Sequence, residues 1–208
     1  MRPTSKPLVI GVAGIMGAGK STVAGVFEEM GARLVDADQM GKEMLKDPRM
    51  RDIAIDAFGD GIKGKDGEID TAMLGKIAFA DEDSAGKLDK VTRDPLVARI
   101  RARIGELRAL SPVIVVDAAL LPEWNARSWL DVVVVVDCDE KRCVERLPAT
   151  SRLDEANVRL RMEHQLSRQK KAAYADVLIP NHGSLEELKE RARAVFRTLV
   201  EPHVGDVT

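Results

Sequence analysis

The clearest chemical pattern lies near the amino terminus, where Gly14 to Ser21 match G-x-x-x-x-G-K-[ST] in full. Glycines at this spacing let successive main-chain N–H groups turn toward phosphate oxygens. Lys20 is expected to reach the β- and γ-phosphates of a nucleotide, and the Ser21 hydroxyl to ligate Mg²⁺. The pattern therefore predicts a phosphate-binding loop, although a glycine-rich turn without a ligand is the alternative. The predicted nucleotide contacts are Gly14, Gly17, Ala18, Gly19, Lys20, Ser21 and Thr22.

Two acidic residues, Asp36 and Asp38, directly follow the apolar pair Leu34-Val35. Ligands of open α/β sheets bind beyond the carboxyl ends of the strands. On an extended segment, side chains at i and i+2 point the same way. One carboxylate is then expected to face the γ-phosphate and to accept a proton from an attacking hydroxyl, or to hold a metal-bound water. The alternative is a helix N-cap, a role that Asp38 alone could fill.

A third acidic residue, Asp117, ends the apolar run 113–116. A carboxylate at the tip of a strand beside a phosphate loop is a common partner of the bound Mg²⁺. We therefore predict that Asp117 and Ser21 serve the metal. The alternative is an aspartate that opens a turn.

The elements that must position these residues are short β-branched runs alternating with longer helical patterns. Continuous apolar runs indicate strands buried on both faces, as in a parallel sheet covered by helices. The segment 39–110 reads as mostly helical, with helices over 40–45, 50–58, 72–80 and 96–110 around a turn region at 59–70. The predicted strands are 8–12, 33–35, 113–116, 132–136 and 177–179. The sequence thus predicts an α/β fold with a helical insertion between strands two and three.

Composition narrows the class of protein. The chain has 208 residues and a formal net charge of -2, so a whole-chain basic field for nucleic acid is lacking. Its 45% hydrophobic and 32% charged residues are typical of a folded globular domain. Two cysteines are too few for a disulfide framework, and no apolar stretch reaches the length of a membrane span. We expect a single-domain cytoplasmic protein with no nucleic-acid or membrane partner.

Four further segments, taken with the phosphate loop, resemble the dephospho-CoA kinase family. The resemblance spans nearly the whole chain, in order and at near-family spacings. The segments are Gly31 to Asp38, read as G-A-R-L-V-D-A-D; Asp117 to Glu123, similar to D-x-P-L-L-F-E; Arg159 to Gln165, similar to R-I-x-x-Q; and Ala175 to Gly183, similar to A-D-x-V-I-x-N-x-G.

The resemblance implies a five-stranded phosphate-loop kinase core with a helical acceptor-binding insertion and a mobile lid. It implies core segments 7–38, 111–147 and 172–208, an insertion at about 39–110 and a lid at about 148–171. Asp38 would be the base for the ribose 3′-hydroxyl of dephospho-CoA, and Asn181 would border the adenine of ATP. A lid arginine, Arg152 with Arg146 as the second choice, would neutralise charge on the γ-phosphate.

The sequence also departs from the family pattern. Asp94-Pro95 stands where the family usually has His-Pro, and Ala119 replaces a proline. The exchange at Asp94 places an anion beside an anionic acceptor, so a kinase for another small acceptor, shikimate- or nucleotide-like, stays open. A non-catalytic nucleotide-binding protein is the other alternative, and a monomer or weak homo-oligomer is expected. The predicted acceptor contacts are Asp38, Asp94, Leu120, Leu121 and Glu123.

Overall fold

The computed structural model describes residues 6–150 and 155–204 of the chain. At its centre lies one parallel five-stranded sheet with the order β2-β3-β1-β4-β5, which confirms the predicted fold class. Each strand coincides with one of the five apolar runs. The strands are β1 (Leu8–Ala13), β2 (Arg33–Asp36), β3 (Val113–Asp117), β4 (Val132–Asp137) and β5 (Val177–Pro180).

Helices cover both faces of this sheet, as continuous apolar strands require. The helices are α1 (Lys20–Glu29), α2 (Ala37–Met44), α3 (Pro48–Phe58), α4 (Thr71–Ala78), α5 (Glu82–Leu107), α6 (Glu140–Thr150), α7 (Glu155–Glu163), α8 (Arg168–Ala173) and α9 (Leu185–Val204), with short 3-10 helices at Asp60–Ile62 and Ala126–Ser128. Alternate residues of β1 enter opposite cores: Ile10 packs with Phe27 of α1 and Phe196 of α9, whereas Val9 packs with Ile100 of α5.

The predicted helical insertion is observed as α2 to α5, between β2 and β3. It has a small apolar core of its own, formed by residues including Ala54, Ile62 and Leu74. This separate core lets the insertion hold its shape beside the sheet. None of the helices in the described part of the chain combines the length and the apolar stretch that crossing a bilayer requires.

The prediction that the last insertion helix starts at Leu96 is wrong. The α5 helix begins at Glu82, where the Asp81 carboxylate caps it by accepting the Ser84 main-chain N–H at 2.7 Å. It then continues through Pro95, which costs one main-chain hydrogen bond. Burial of the helix face that carries Ile100 against the sheet offsets that cost. The start of α9, in contrast, follows a local pattern, because Ser184 and Glu187 form the reciprocal bonds of a capping box.

Candidate active site

The phosphate loop joins β1 to α1 in a conformation that only glycine adopts easily. Gly17 has φ 80° and Gly19 has φ 99°, both in the left-handed region. A Cβ placed on Gly17 would lie 2.8 Å from Leu147 Cδ1, and one on Gly19 would lie 2.8 Å from Asn181 Nδ2. Because no side chain caps the N-terminus of α1, its first N–H groups are left for an anion.

Two side chains hold this loop. The Lys20 ammonium lies 3.4 Å from the Ile15 carbonyl oxygen, so it curls over the loop to which it belongs. The Asn181 amide is buried and donates to the Ala18 carbonyl at 2.8 Å. The Asn181 side chain thus lies against the loop backbone, and its position at the border of adenine stays a prediction. That contact braces the cradle from the end of β5.

Asp117 ends β3, the strand that lies between β1, which leads into the phosphate loop, and β2. Its main chain pairs with Val12 of β1 on one side and with Asp36 of β2 on the other. Burial raises the pKa of the Asp117 carboxyl, and the Lys20 charge and a hydrogen bond with the Ser21 hydroxyl oppose that rise. Asp117 and Ser21 therefore lie close enough to interact, and their joint service to one metal ion stays a prediction.

This pair fits Mg²⁺. The ion is usually held by one or two protein oxygens, with phosphates and waters completing its octahedron. A carboxylate and a hydroxyl provide such hard oxygen donors, and a bound cation would also relieve the raised pKa of Asp117. Within residues 6–150 and 155–204, no group of three or more His, Cys, Asp or Glu side chains is placed to hold a metal ion. The phosphates and waters would therefore supply most of the ligands of the ion.

Asp36 and Asp38 lie in different elements, since Asp36 is the last residue of β2 and Asp38 lies in the first turn of α2. The prediction that both carboxylates point the same way is wrong, because α2 begins at Ala37 and each helical residue turns the chain by about 100°. Asp36, not Asp38, is the N-cap and accepts the Gln39 N–H at 2.9 Å. The Asp38 side chain is exposed and faces a cavity.

That cavity has a volume of about 600 Å³ and extends from the phosphate loop to the insertion. Lys20 and Asp38 line its loop end, and residues of α5 spaced three or four apart line its long wall, which places them on one helical face. Leu120 and Glu123, predicted acceptor contacts, also line it. The structure thus joins the nucleotide site and a roomy second compartment through Asp38.

Two predicted acceptor contacts do not lie on this cavity. Leu121 is completely buried against the sheet, so it supports the wall instead of touching a ligand. The Asp94 side chain is exposed on α5 and is not among the lining residues, although its neighbour Arg93 is. A direct contact between Asp94 and an acceptor is therefore not supported by this geometry.

Sequence reasoning missed the role of Lys171, which it placed within a basic lid. The Lys171 side chain is fully buried, and its ammonium lies 2.6 Å from both Glu123 Oε1 and the Ala119 carbonyl oxygen. Burial lowers the pKa of Lys171, and the Glu123 charge partly restores it. The Leu166 N–H also donates to Glu123 Oε1, at 2.8 Å. Local sequence gives no signal of this pairing because the partners are 48 residues apart.

The two arginines predicted for the lid have different outcomes. Arg152 lies outside the described residues. Arg146 donates to the Gly183 carbonyl at 3.2 Å and is not among the cavity-lining residues. Arg161, which the sequence analysis did not single out, lines the cavity instead. The α7 arginine that lines the acceptor compartment is thus Arg161.

The fold is a five-stranded parallel sheet with a glycine loop between its central strand and the next helix. A buried aspartate ends the neighbouring strand, and a second acidic residue faces a second compartment. Together these features define a phosphate-loop kinase. Within that class, a sequence model of the family described as dephospho-CoA kinase matches residues 8–187. The chain belongs to the dephospho-CoA kinase family.

Similar proteins agree with this placement. A dephospho-CoA kinase of Thermobifida fusca is 36% identical over 197 residues, which cover 92% of this chain and 96% of the relative. One from Mycobacterium tuberculosis is 39% identical over 94% of this chain, which spans about half (48%) of that relative's length. The crystal structure of TT1252 from Thermus thermophilus has a TM-score of 0.74 and 26% identity, covering 94% of this chain and 99% of that one.

Proposed function

We propose that this protein transfers the γ-phosphate of ATP to the ribose 3′-hydroxyl of dephospho-CoA, which gives coenzyme A. The observation that carries the proposal is the position of Asp38. Asp38 lines one continuous cavity. Lys20 of the phosphate loop lies at one end of this cavity, and the α5 helix forms its long wall. Family membership supports dephospho-CoA as the acceptor.

The loop end of the cavity supplies positive charge for the triphosphate. The free N–H groups at the start of α1 and the Lys20 ammonium meet the β- and γ-phosphates. In this reaction class the protein contributes mostly positioning and electrostatic stabilisation. Lys20 must leave the Ile15 carbonyl to do so, and a contact of 3.4 Å is weak enough to be exchanged for a charged phosphate oxygen.

Asp38 is the proposed base. Its carboxylate is exposed to the cavity and is not used for helix capping, which Asp36 performs. It needs only hydrogen-bond reach to the acceptor hydroxyl, whose proton it accepts as the oxygen attacks the γ-phosphate. The strand order places β3 between β1 and β2, so the ends of β1 and β2 are about 10 Å apart. That gap leaves room for a phosphate and a hydroxyl between loop and base.

The acceptor compartment is held to the phosphate loop by the chain segment after α7. Gln165 Oε1 accepts the Met16 N–H of the loop at 3.2 Å, and the next residue, Leu166, donates to Glu123. We propose that this joint is the base of a lid formed by residues 148–171. Closure of the lid would exclude water and so favour transfer over ATP hydrolysis.

Ser21 and Asp117 would hold Mg²⁺, which supplies charge neutralisation for the phosphates when it is bound. The full site therefore takes ATP, dephospho-CoA and one divalent ion. We propose a monomer or weak homo-oligomer that works in the cytoplasm. Cys138 and Cys143, both buried and unpaired by a disulfide, are in keeping with a reducing compartment.

An acceptor screen tests the proposal. ADP formation is measured with MgATP and, in separate reactions, dephospho-CoA, shikimate or a nucleoside monophosphate, with a Lys20→Met variant as the blank. We expect ADP release that depends on dephospho-CoA, with the product carrying a 3′-phosphate. Turnover of another acceptor without turnover of dephospho-CoA would reject the acceptor. ATP binding with no turnover of any acceptor would reject catalysis.

A further inference from the structure

Arg161, on α7, is placed in the acceptor compartment in an unusual way. Its guanidinium lies over the ring of Phe79, 4.8 Å from the ring centroid, at the C-terminal end of α4. The side chain is half-buried and lines the cavity, and its Nε is buried without a hydrogen-bond partner. Contact with the ring and with Gly75 of α4 restricts the guanidinium before any ligand arrives.

The other cations that line the cavity are already engaged. Lys20 contacts the loop carbonyl of Ile15, and Arg93 lies 3.5 Å from the Asp89 carboxylate and donates to the Glu123 carbonyl. Among the described residues, no carboxylate lies within 4.0 Å of the Arg161 guanidinium. Arg161 is therefore a partly desolvated charge without an ion-pair partner, a state that a bound anion would stabilise.

The position of Arg161 indicates which anion this is. Its guanidinium contacts the insertion at two places, the Phe79 ring and Gly75 of α4. Burial lowers the pKa of Arg161, and the charged group that opposes this is Asp38, the proposed base. Arg161 thus lies on the insertion side of the cavity and interacts with the charge of Asp38, next to which the acceptor hydroxyl is expected.

The compartment also needs a cation if its ligand is anionic. Its lining includes the acidic side chains of Glu82, Asp89 and Glu163, which repel phosphate. A free guanidinium can bind two phosphate oxygens at once and so outweigh that repulsion locally. Without it, an anionic acceptor would enter a mostly negative compartment.

We propose that Arg161 binds a phosphate group of the acceptor, in dephospho-CoA its 5′-diphosphate, and so selects phosphorylated nucleosides over neutral ones. This inference rests on the proposed function but concerns recognition, not transfer. Arg161 is therefore a specificity residue.

The test compares binding of dephospho-CoA with binding of adenosine, which lacks the diphosphate, by titration calorimetry. Arg161→Met keeps a flexible apolar chain against Phe79 and removes the charge. Arg159→Met is the matched control, because Arg159 lies on the same helix with an exposed side chain. Thermal unfolding of each variant is recorded, and Arg161→Lys, which keeps the charge but loses the planar fork, is the second variant should Arg161→Met fold poorly.

We expect Arg161→Met to weaken dephospho-CoA binding by about 10- to 100-fold, since a hydrogen-bonded charge contributes about 1.5–3 kcal/mol. Adenosine binding and ATP affinity should stay within about twofold, and Arg159→Met should bind dephospho-CoA within about twofold of wild type. Arg161→Lys should lose dephospho-CoA affinity to a smaller extent and leave adenosine binding unchanged.

Three results would overturn the assignment. Unchanged dephospho-CoA affinity would show that Arg161 is not a ligand contact. An equal loss for adenosine and dephospho-CoA would make its role structural. An equal loss of acceptor-free ATP hydrolysis would place it at the γ-phosphate. The three results compare each variant with wild type, so they test the role of Arg161 alone. The proposed function fails only if wild type does not phosphorylate dephospho-CoA.

Discussion

Replacing Lys171 by Met should destabilise the protein strongly. The change removes two 2.6 Å contacts, to Glu123 Oε1 and the Ala119 carbonyl, and leaves the Glu123 carboxylate with only the Leu166 N–H. The side chains of Lys171 and Glu123 are 1% and 17% exposed, so water screens little of the lost interaction. Removing one partner of such a pair costs about 3–5 kcal/mol. At about 2–4 °C per kcal/mol for a chain of this size, Tm should fall by roughly 6–20 °C.

Urea unfolding followed by circular dichroism measures this loss for Lys171→Met, Glu123→Gln and the double variant. Lys170→Met is the matched control, since Lys170 is the exposed neighbour on α8 and its loss should cost under about 0.5 kcal/mol. The double variant should lose less than the sum of the single variants, because the second change removes the charge that the first leaves stranded. The reasoning is refuted if Lys171→Met behaves like Lys170→Met, or if the two single losses simply add.

Other changes probe the phosphate site. Lys20→Met should raise the Kd of ATP about 10- to 100-fold in calorimetry and also lower kcat, since charged hydrogen bonds to phosphate are lost; unchanged ATP affinity would contradict the loop assignment. Asp117→Asn should raise the Mg²⁺ concentration needed for half-maximal rate. In wild type, Mg²⁺ affinity should fall as pH drops through the raised pKa of Asp117, because protons then compete with the metal, whereas the variant should show no such dependence. Gly17→Ala should lower stability by about 1–3 kcal/mol, from its φ of 80° and its contact with Leu147. By contrast, Gly105→Ala, in open space on α5, should raise stability by about 1 kcal/mol; equal effects of the two alanines in urea unfolding would contradict the strain argument.

Much of the fold could be predicted because its signals are local. Five apolar runs specify the five parallel strands, of which β1, β3 and β4 are buried along most of their length, and the glycine loop and the Ser184–Glu187 box fix the starts of α1 and α9. The start of α5 could not be predicted in this way. Pro95 is a helix breaker by local propensity, yet packing of the long helix against sheet and insertion overrides it.

The site was partly predictable for the same reason. Asp117 ends β3, and Lys20 and Ser21 begin the helix that follows the neighbouring strand β1, so the chain order of a parallel sheet brings the three residues to the same edge. The roles of Asp36 and Asp38 depend on where α2 starts, to within one residue, and sequence patterns do not resolve that boundary. Lys171 depends on a contact that forms only in the folded chain.

The measurement that tests the central claim most directly is single-turnover transfer of labelled γ-phosphate from ATP to dephospho-CoA, by wild type and by Asp38→Asn, with ATP affinity measured beside it. Wild type should label the 3′-position, and Asp38→Asn should transfer at least about 10²-fold more slowly while binding ATP within about twofold of wild type. Label transfer by Asp38→Asn at the wild-type rate, or label at any other position, would contradict the account.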